Sequence, residues 1–267
     1  MNKGRFYKLA IGFLLALILV MGLIFFLKKR PVEPLKLPPE KVVKHVKKKA
    51  GKIAIVIDDV GYTLSNLGII ESLKYPLTFS ILPGLDFSKS AAEDLNSRGF
   101  QIILHLPMEP KDNRSLEADT ILVSMDEAQV RSIINKDLTA IPKLKGVSNH
   151  MGSKVTEDEK TMSVVLDELK KRNMFFLDSF VTANSVAKQL AAQKKLRFVQ
   201  RDVFLDNSSE PEYIRQQINQ LKQKALKNGQ AVGIGHDRKA TLEVLREEIP
   251  KMAKEGFRFV FVSDLAR

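Results

Sequence analysis

From about residue 51 to the last residue, short apolar runs alternate with longer amphipathic stretches. Apolar runs of this length, bounded by Gly, Pro or charged residues, are typical of buried strands, whereas a spacing of three to four residues between apolar positions is typical of helices. The pattern predicts strands at 53–57, 77–82, 101–106, 146–149, 174–177, 196–200, 203–205, 230–235 and 257–262, two of them short pieces of three to five residues.

Helices are predicted between most of these strands, at 64–74, 87–98, 156–172, 184–195, 211–229 and 241–255, and a further helix is predicted to begin at Ser124. Ser124 with Glu127, and Thr156 with Glu159, have the spacing of capping boxes. Strands that alternate with helices form parallel sheets through right-handed crossovers. With this many units, we expect a distorted seven- or eight-stranded β/α barrel. Gly233-x-Gly235 is too short for a dinucleotide-binding loop, and the chain has no Walker loop.

The N-terminal segment has a different pattern. Leu9–Leu27 contains 19 residues without a charge, close to the ~20 apolar residues that cross a bilayer. The basic residues Lys28, Lys29 and Arg30 follow it with no small-x-small cleavage site, so we expect residues 1–30 to be an uncleaved membrane anchor. We expect a cytoplasmic N-terminus and a body on the extracytoplasmic side of the membrane, either in a periplasm or at a cell surface.

Residues 31–50 contain four prolines and the run Lys47–Lys49, which predicts an extended tether before a single domain at 51–267. The net charge of +12 suggests nucleic acid at first sight. However, residues 1–50 hold twelve Lys or Arg against two Glu, a net +10, so the body is nearly neutral and we expect no nucleic-acid partner. The absence of Cys excludes disulfides, thiolate metal sites and Cys nucleophiles.

Polar residues follow several of the predicted strands at the point where each strand ends. Three of the four histidines are at such ends, and two adjacent carboxylates follow the first strand. The residues are Asp58, Asp59, His105, Asn149, His150, Asp178 and His236. Because the carboxyl ends of parallel strands meet at one rim, these side chains are candidates for a metal and acid–base site. Asp59, His105 and His150 could provide one oxygen and two nitrogen ligands with open positions for water and substrate. The alternative for the Asp pair is that one caps the next helix and the other is solvated.

The motifs around these residues resemble the divergent polysaccharide deacetylase family over about residues 51–267. They are Asp-Asp-Val-Gly at 58–61, His-Leu-Pro-Met-Glu-Pro at 105–110, Ser-Asn-His-Met-Gly-Ser at 148–153, Phe-Phe-Leu-Asp-Ser at 175–179 and Gly-Ile-Gly-His at 233–236. The resemblance implies a distorted β/α barrel and removal of N- or O-acetyl groups from cell-wall or chitin-type sugars with a divalent metal.

By resemblance, Asp58 matches the general base, Asp59 and His105 match metal ligands, and His236 matches the general acid. That family resembles the larger polysaccharide deacetylase superfamily, which has a His-x-x-x-His metal motif. The chain departs from this pattern because Glu109 stands where the second metal-binding His is expected. We therefore expect His150 to supply that imidazole, with zinc as the metal. Glu109, Asp178 and Asn149 are candidates for supporting positions around the ligands or for alternative ligands. Asp178 is also a candidate for orienting His236 or binding a sugar hydroxyl, and a capping or solvated role is equally open.

The predicted function is a metal-dependent hydrolase that removes acetyl groups from a cell-envelope polysaccharide or peptidoglycan-type glycan. Two alternatives stay open at this stage. One is a non-catalytic glycan-binding or envelope scaffold that keeps the fold, which the altered metal motif favours. The other is a hydrolase of a different bond, such as a phosphoester, although the nearly neutral body argues against a phosphate-rich substrate.

Overall fold

The computed structural model describes residues 3–28 and 50–267, and these form two separate compact units. Helix α1, Lys3–Lys28, is the first unit. Among the described residues, no helix is both long and apolar enough to cross a membrane, which does not support the predicted anchor at Leu9–Leu27. The predicted tether, apart from Ala50, lies outside the described residues.

The second unit alternates strands with helices, as the sequence predicts. Its strands are β1 (Lys52–Val60), β2 (Thr78–Ile81), β3 (Gln101–Met108), β4 (Gly146–Met151), β5 (Phe175–Asp178), β6 (Phe198–Gln200), β7 (Val203–Phe204), β8 (Gln230–His236) and β9 (Arg258–Phe259). Its helices are α2 (Leu67–Glu71), α3 (Ser88–Ser97), α4 (Glu127–Ala140), α5 (Glu159–Lys171), α6 (Ala187–Lys194), α7 (Pro211–Asn228) and α8 (Lys239–Glu255).

All strand pairs within the sheet are parallel, in the order β6-β5-β4-β3-β2-β1-β8-β7. The first and last strands of this order are separated in the chain by only Arg201 and Asp202. The sheet must therefore curl until its two edges meet, and β6 with β7 acts as one interrupted strand that pairs first with β5 and then with β8. Strand β9 pairs with the first residues of β1, before β2 begins. The predicted β/α barrel is confirmed.

Alternation along the strands separates two hydrophobic cores. Ile53, Ile55 and Ile57 of β1 face the helices, whereas Ala54 and Val56 join a smaller cluster inside the barrel. Gly146 makes space for the ring of Phe175 in the barrel interior, because a Cβ atom at position 146 would lie 2.5 Å from that ring. The apolar lower half of the barrel is thus filled by side chains, as in other closed barrels of this size.

The structure corrects two predicted helix starts. Helix α4 is capped by Asp126, whose carboxylate accepts from Gln129 N at 2.8 Å, and not by Ser124. Helix α5 is capped by Asp158, which accepts from Thr161 N at 2.7 Å, while Thr156 donates its hydroxyl to Gly152 O at 2.8 Å. In both cases a carboxylate two residues further on supplies the stronger, charged acceptor for the free backbone amides.

Helix α2 and the last strand also differ in extent from the prediction. Helix α2 spans five residues instead of eleven, and β9 spans two residues instead of six. After β9 the chain turns into a short 3₁₀ helix, Val262–Asp264, whose Val262 fills the barrel interior. The strand prediction for 257–262 is thus wrong over most of its length, because these apolar side chains are buried without a continuous paired strand.

A buried carboxylate, Glu168, connects α4 and α5. Its side chain is 4% exposed and accepts hydrogen bonds from Arg131 of α4, from Lys171 at 2.6 Å and from Arg172 at 2.6 Å. Burial opposes ionisation, but these three cations outweigh it and lower the pKa of Glu168 to about 2. A buried carboxylate with three cationic donors is held ionised at neutral pH.

We predict that Glu168→Gln lowers the free energy of unfolding at pH 7 by about 2 kcal/mol, since charge-assisted hydrogen bonds contribute roughly that much each. Because the folded-state pKa lies below the unfolded value, this stabilisation is complete above about pH 4.5 and is lost as the pH falls toward 2. Urea unfolding between pH 7 and pH 3 should therefore show the difference between the two proteins narrowing only below pH 4.5. Glu127→Gln, at an exposed carboxylate that also contacts Arg131, is the matched control and should change stability by less than about 0.5 kcal/mol.

Candidate active site

A cavity of about 590 Å³ opens at the carboxyl ends of the strands, and the interior positions of the barrel lead into it. On β1 the interior series Ala54, Val56 continues to Asp58, and on β8 the series Val232, Ile234 continues to His236. Every second residue of a strand faces the same side, so the interior changes from apolar to ionisable toward the upper rim. The same alternation brings His105 and His150 to this rim.

Asp59 reaches the same cavity although alternation alone would turn it toward the helices. Its φ is 61°, and the register between β1 and β2 shifts between Ile57 and Val60. A β-bulge with one residue in the left-handed region redirects a side chain at the end of a strand. Left-handed backbone at a non-glycine residue is costly and is typical of functional sites. Both carboxylates of the pair therefore line one space.

Asp59, His105 and His150 form a group whose potential ligand atoms all lie within 4.8 Å of one another. Asp59 Oδ1 is 3.3 Å from His105 Nε2 and 3.0 Å from His150 Nδ1. Ligand atoms about 2.0–2.2 Å from one tetrahedral ion are separated by about 3.4 Å, so these spacings fit the edges of a coordination site. One carboxylate oxygen and two imidazole nitrogens are also a donor set that divalent metals accept. The residues present fit a metal ion.

The two imidazoles of this group are fixed by neighbours. His105 Nδ1 lies 2.8 Å from Ser148 Oγ, which is itself 2.6 Å from Ser80 Oγ, and all three side chains are buried. A hydrogen bond at one ring nitrogen selects the tautomer and leaves the other nitrogen free for a metal. His150 packs edge-on against His105, with ring centroids 4.9 Å apart.

The two carboxylates differ in their electrostatic surroundings. Burial raises the pKa of Asp58, and the charge of Asp59 raises it further, against the influence of His105. Burial acts on Asp59 as well, but its contacts with His105 and His150 hold the pKa of that carboxyl well below its usual range. Adjacent carboxylates whose pKa values are driven apart have different roles, one as a proton acceptor and one as a permanently ionised group. Asp58 Oδ1 is buried and has no hydrogen-bond partner among the described residues.

His236 faces this pair from β8 and is held by Asp206. Its Nδ1 lies 2.8 Å from Asp206 Oδ1, and its Nε2 is 3.8 Å from Asp59 Oδ2. Its ring stacks on Phe204 with centroids 5.2 Å apart. Burial alone would lower the pKa of His236, but the hydrogen bond to Asp206 and the charges of Asp59 and Asp58 raise it. Nδ1 is committed to Asp206, so Nε2 carries a proton when the imidazole is charged, and the raised pKa favours that form.

The three residues predicted for supporting or alternative positions lie near the site but do not join the metal-binding group. Glu109 accepts from Val123 N at 2.9 Å and Lys154 Nζ at 2.6 Å, which fastens the loop after β3. Asp178 accepts from Phe180 N and Ser185 Oγ, both at 2.7 Å. The third residue, Asn149, is fully buried; it accepts from Ser179 N at 2.8 Å and donates to Met151 O at 2.7 Å.

Sequence reasoning missed the partner of His236. Asp178 was considered for that position, whereas the structure places Asp206 there, with a second oxygen that accepts from Thr241 Oγ1 at 2.6 Å and His236 N at 2.8 Å. Asp206 does follow a short predicted strand, so the signal was the same as for the other site residues. Two further cavity residues, Arg201 and Phe204, gave no such signal, because they belong to the interrupted strand that closes the barrel.

Comparison with known proteins gives relatives over most of the domain. The "Uncharacterized protein YibQ" of Escherichia coli strain K12 is 34% identical over 200 residues, which cover 75% of this chain and 63% of that protein. An "Uncharacterized protein" of Haemophilus influenzae is 32% identical over 204 residues, which cover 76% of this chain and 73% of that one. The chain thus spans less than two thirds of the length of the first of these relatives.

The fold has a solved counterpart in the crystal structure of an uncharacterized protein from Agrobacterium tumefaciens C58. The two share a TM-score of 0.76 at 21% identity, over 82% of this chain and 90% of that one. A family model described as divergent polysaccharide deacetylase matches residues 55–266, which is nearly the whole domain and includes every residue of the site described above. The chain belongs to the divergent polysaccharide deacetylase family.

Proposed function

We propose that this protein is a metal-dependent hydrolase that removes acetyl groups from a cell-envelope polysaccharide or a peptidoglycan-type glycan. The observation that carries the proposal is the arrangement of two adjacent carboxylates with opposite pKa shifts between a pair of imidazoles and a third, separately held imidazole. Membership of the polysaccharide deacetylase family supports a glycan as the substrate.

Asp59, His105 and His150 would hold the metal, and we propose zinc because two imidazoles suit it better than they suit magnesium. A divalent ion supplies Lewis acidity, which polarises a carbonyl group and lowers the pKa of water. The chain keeps Asp59 ionised through its two histidines, so this carboxylate is available as a ligand over the whole physiological pH range.

Asp58 is proposed as the general base. Its Oδ1 has no partner among the described residues, and its raised pKa makes it a better proton acceptor than an ordinary aspartate. It would accept a proton from the water whose oxygen attacks the acetyl carbonyl carbon. The buried position beside His105 fixes the carboxylate, with Asp58 Oδ2 3.6 Å from His105 Nε2.

His236 is proposed as the general acid. Its Nε2 would donate a proton to the leaving nitrogen of an N-acetyl group, or the leaving oxygen of an O-acetyl group, as the bond to the acetyl carbon breaks. The products are acetate and a free amine or hydroxyl group. Asp206 holds the ring by Nδ1 and favours its charged form, and Phe204 fixes the ring plane. An acid and a base held by separate strands can act on the two ends of the reacting group without exchanging protons directly.

A non-catalytic glycan-binding protein is the second candidate. The observation that favours it is that Glu109, which stands where the superfamily has its second metal-binding His, is tied to Lys154 and Val123 and is outside the metal-binding group. In this case the cavity would bind glycan without releasing acetate.

We also propose that the domain acts on the extracytoplasmic side. The support for this is the sequence of the N-terminal segment, in which Leu9–Leu27 carries no charge and is flanked by three basic residues on each side. A cell-envelope glycan is accessible on that side.

Metal analysis tests the ligand assignment. We predict about one zinc per chain in the wild type and loss of most of it in His150→Ala, because two ligands bind a divalent ion far more weakly than three. His236→Ala is the matched control, since this imidazole lies on the other side of Asp59 and is held by Asp206. A wild type without metal that still binds glycan would favour the second candidate.

Acetate release tests the base. Asp58→Asn should lower kcat for acetylated glycan by roughly 10²–10⁴-fold, the usual contribution of a positioned general base, while metal content is retained. Asp112→Asn removes an exposed carboxylate that lines the same cavity and pairs with Arg114, and it should change kcat by less than about threefold. Full activity of Asp58→Asn would contradict the assignment.

A topology reporter tests the location. We predict that alkaline phosphatase fused after Arg267 is active and that green fluorescent protein fused at the same position is dark, because the first folds only in an oxidising compartment and the second does not mature after export in unfolded form. The opposite result would place the domain in the cytoplasm. Removal of residues 1–30 from the phosphatase fusion is the control and should abolish its activity.

A further inference from the structure

Arg201 lines the cavity and has no carboxylate partner. It lies in the two-residue link between β6 and β7 and is half-buried. Among the described residues, no carboxylate oxygen lies within ion-pair distance of its guanidinium, whereas five of the ten other arginines of the domain have such a partner. A half-buried guanidinium without a contacting carboxylate is available to an anionic ligand.

The guanidinium is held in a single orientation. Its Nε donates to Ser179 O at 2.6 Å, and its Nη2 donates to Phe180 O at 2.7 Å. Its carbon Cζ lies 4.4 Å from the centre of the Phe204 ring, so one face of the group is covered as well. These contacts use the Nε–Nη2 edge of the planar guanidinium. The other edge, formed by Nη1 and the second hydrogen of Nη2, has no partner among the described residues. That edge has the spacing for two parallel hydrogen bonds to a carboxylate.

The carboxylates near Arg201 have other hydrogen-bond partners and do not contact its guanidinium. Asp206 is used by His236 and Thr241, and Asp178 is used by Phe180 N and Ser185. Burial lowers the pKa of Arg201 although Asp178 and Asp58 act in the opposite direction. A second arginine, Arg238, lines the same cavity without a carboxylate partner among the described residues and donates only to Asp206 O, at 3.0 Å. Two guanidinium groups without a contacting carboxylate, those of Arg201 and Arg238, therefore line this cavity within the described part of the chain.

We propose that Arg201, with Arg238 lining the same cavity, binds a carboxylate of the glycan, so the substrate of this site is an acidic glycan. The inference rests on the proposed glycan deacetylase function and makes its substrate class more specific. Phe204 connects the two parts of the site, because one side of its ring faces Arg201 and it also stacks on His236. A carboxylate on Arg201 would place the sugar that carries it next to the proposed general acid.

Equilibrium binding tests this inference without turnover. The probe is an oligosaccharide of alternating N-acetylglucosamine and N-acetylmuramic acid, compared with the same oligosaccharide after its carboxylates are converted to carboxamides. Binding of both is measured by calorimetry to the zinc-loaded full chain carrying Asp58→Asn. We expect the carboxylate form to bind about 10- to 100-fold more tightly, the range for a charge-assisted bidentate contact.

With Arg201→Gln added to the same chain, the carboxylate and carboxamide oligosaccharides should bind with about equal affinity. Arg201→Lys keeps the charge but loses the planar edge, so it should keep only a small part of the preference; this variant carries the test if Arg201→Gln does not fold. Arg114→Gln is the matched control, because Arg114 lines the same cavity but is exposed and paired with Asp112. This control should leave the ratio of the affinities for the carboxylate and carboxamide oligosaccharides unchanged within about threefold.

Two results would overturn the inference: equal binding of the two probes, or a preference that survives in Arg201→Gln. Tighter binding of a phosphate-bearing oligosaccharide than of the carboxylate form would overturn the carboxylate assignment. Acetate release by the wild type is measured separately. If the carboxylate form is preferred through Arg201 but no acetate is released, only the proposed function is contradicted. If acetate is released but neither oligosaccharide is preferred, only the inference is contradicted.

Discussion

The site depends on one interruption in the alternation of β1. Regular alternation carries Ala54, Val56 and Asp58 into the barrel and would send Asp59 outward. The left-handed backbone at Asp59 and the register shift beside it turn this carboxylate back to the cavity. Two adjacent carboxylates in one space repel each other, and His105 and His150 compensate for this by stabilising the charge on Asp59. The same repulsion contributes to the raised pKa of Asp58, so one backbone feature produces both a carboxylate that stays ionised and one with a raised proton affinity.

Closure of the barrel supplies the other half of the cavity. Since β6 pairs with β5 and β7 pairs with β8, the two residues between them span the gap where the sheet would otherwise be open. Arg201 stands in this gap, and the residues that follow it bring Phe204 and Asp206 to His236. The surroundings of His236 are thus provided by the least regular part of the sheet. Irregular backbone of this kind is common where a barrel presents functional residues.

The sequence was sufficient to predict the barrel and the rim residues, because apolar runs identify strands and parallel strands end at one rim. His105, His150 and Asp59 were predicted together on that basis, and the structure brings them together. The partner of His236 was not predictable in the same way. Asp178 and Asp206 both follow strands, and only the three-dimensional closure determines which one faces His236. The cap prediction for α4 was wrong for a local reason. Ser124 precedes Glu127 by three positions and Asp126 precedes Gln129 by three, and the Asp126 carboxylate is the one that accepts from the free backbone amide.

The position of His150 on a strand makes the proposed metal site depend on strand register. In the superfamily pattern the second imidazole is four residues after the first, so the local chain fixes their separation. Here the two imidazoles are on β3 and β4, which pair with His105 opposite Ser148 and Pro107 opposite His150. A shift of one residue in this pairing would turn His150 toward the helices and remove one ligand. Asn149 opposes such a shift, because its buried side chain joins β4 to Ser179 after β5 and to Met151 in its own strand. Its amide therefore supports the metal-binding group through the register of β4, without contributing a ligand atom.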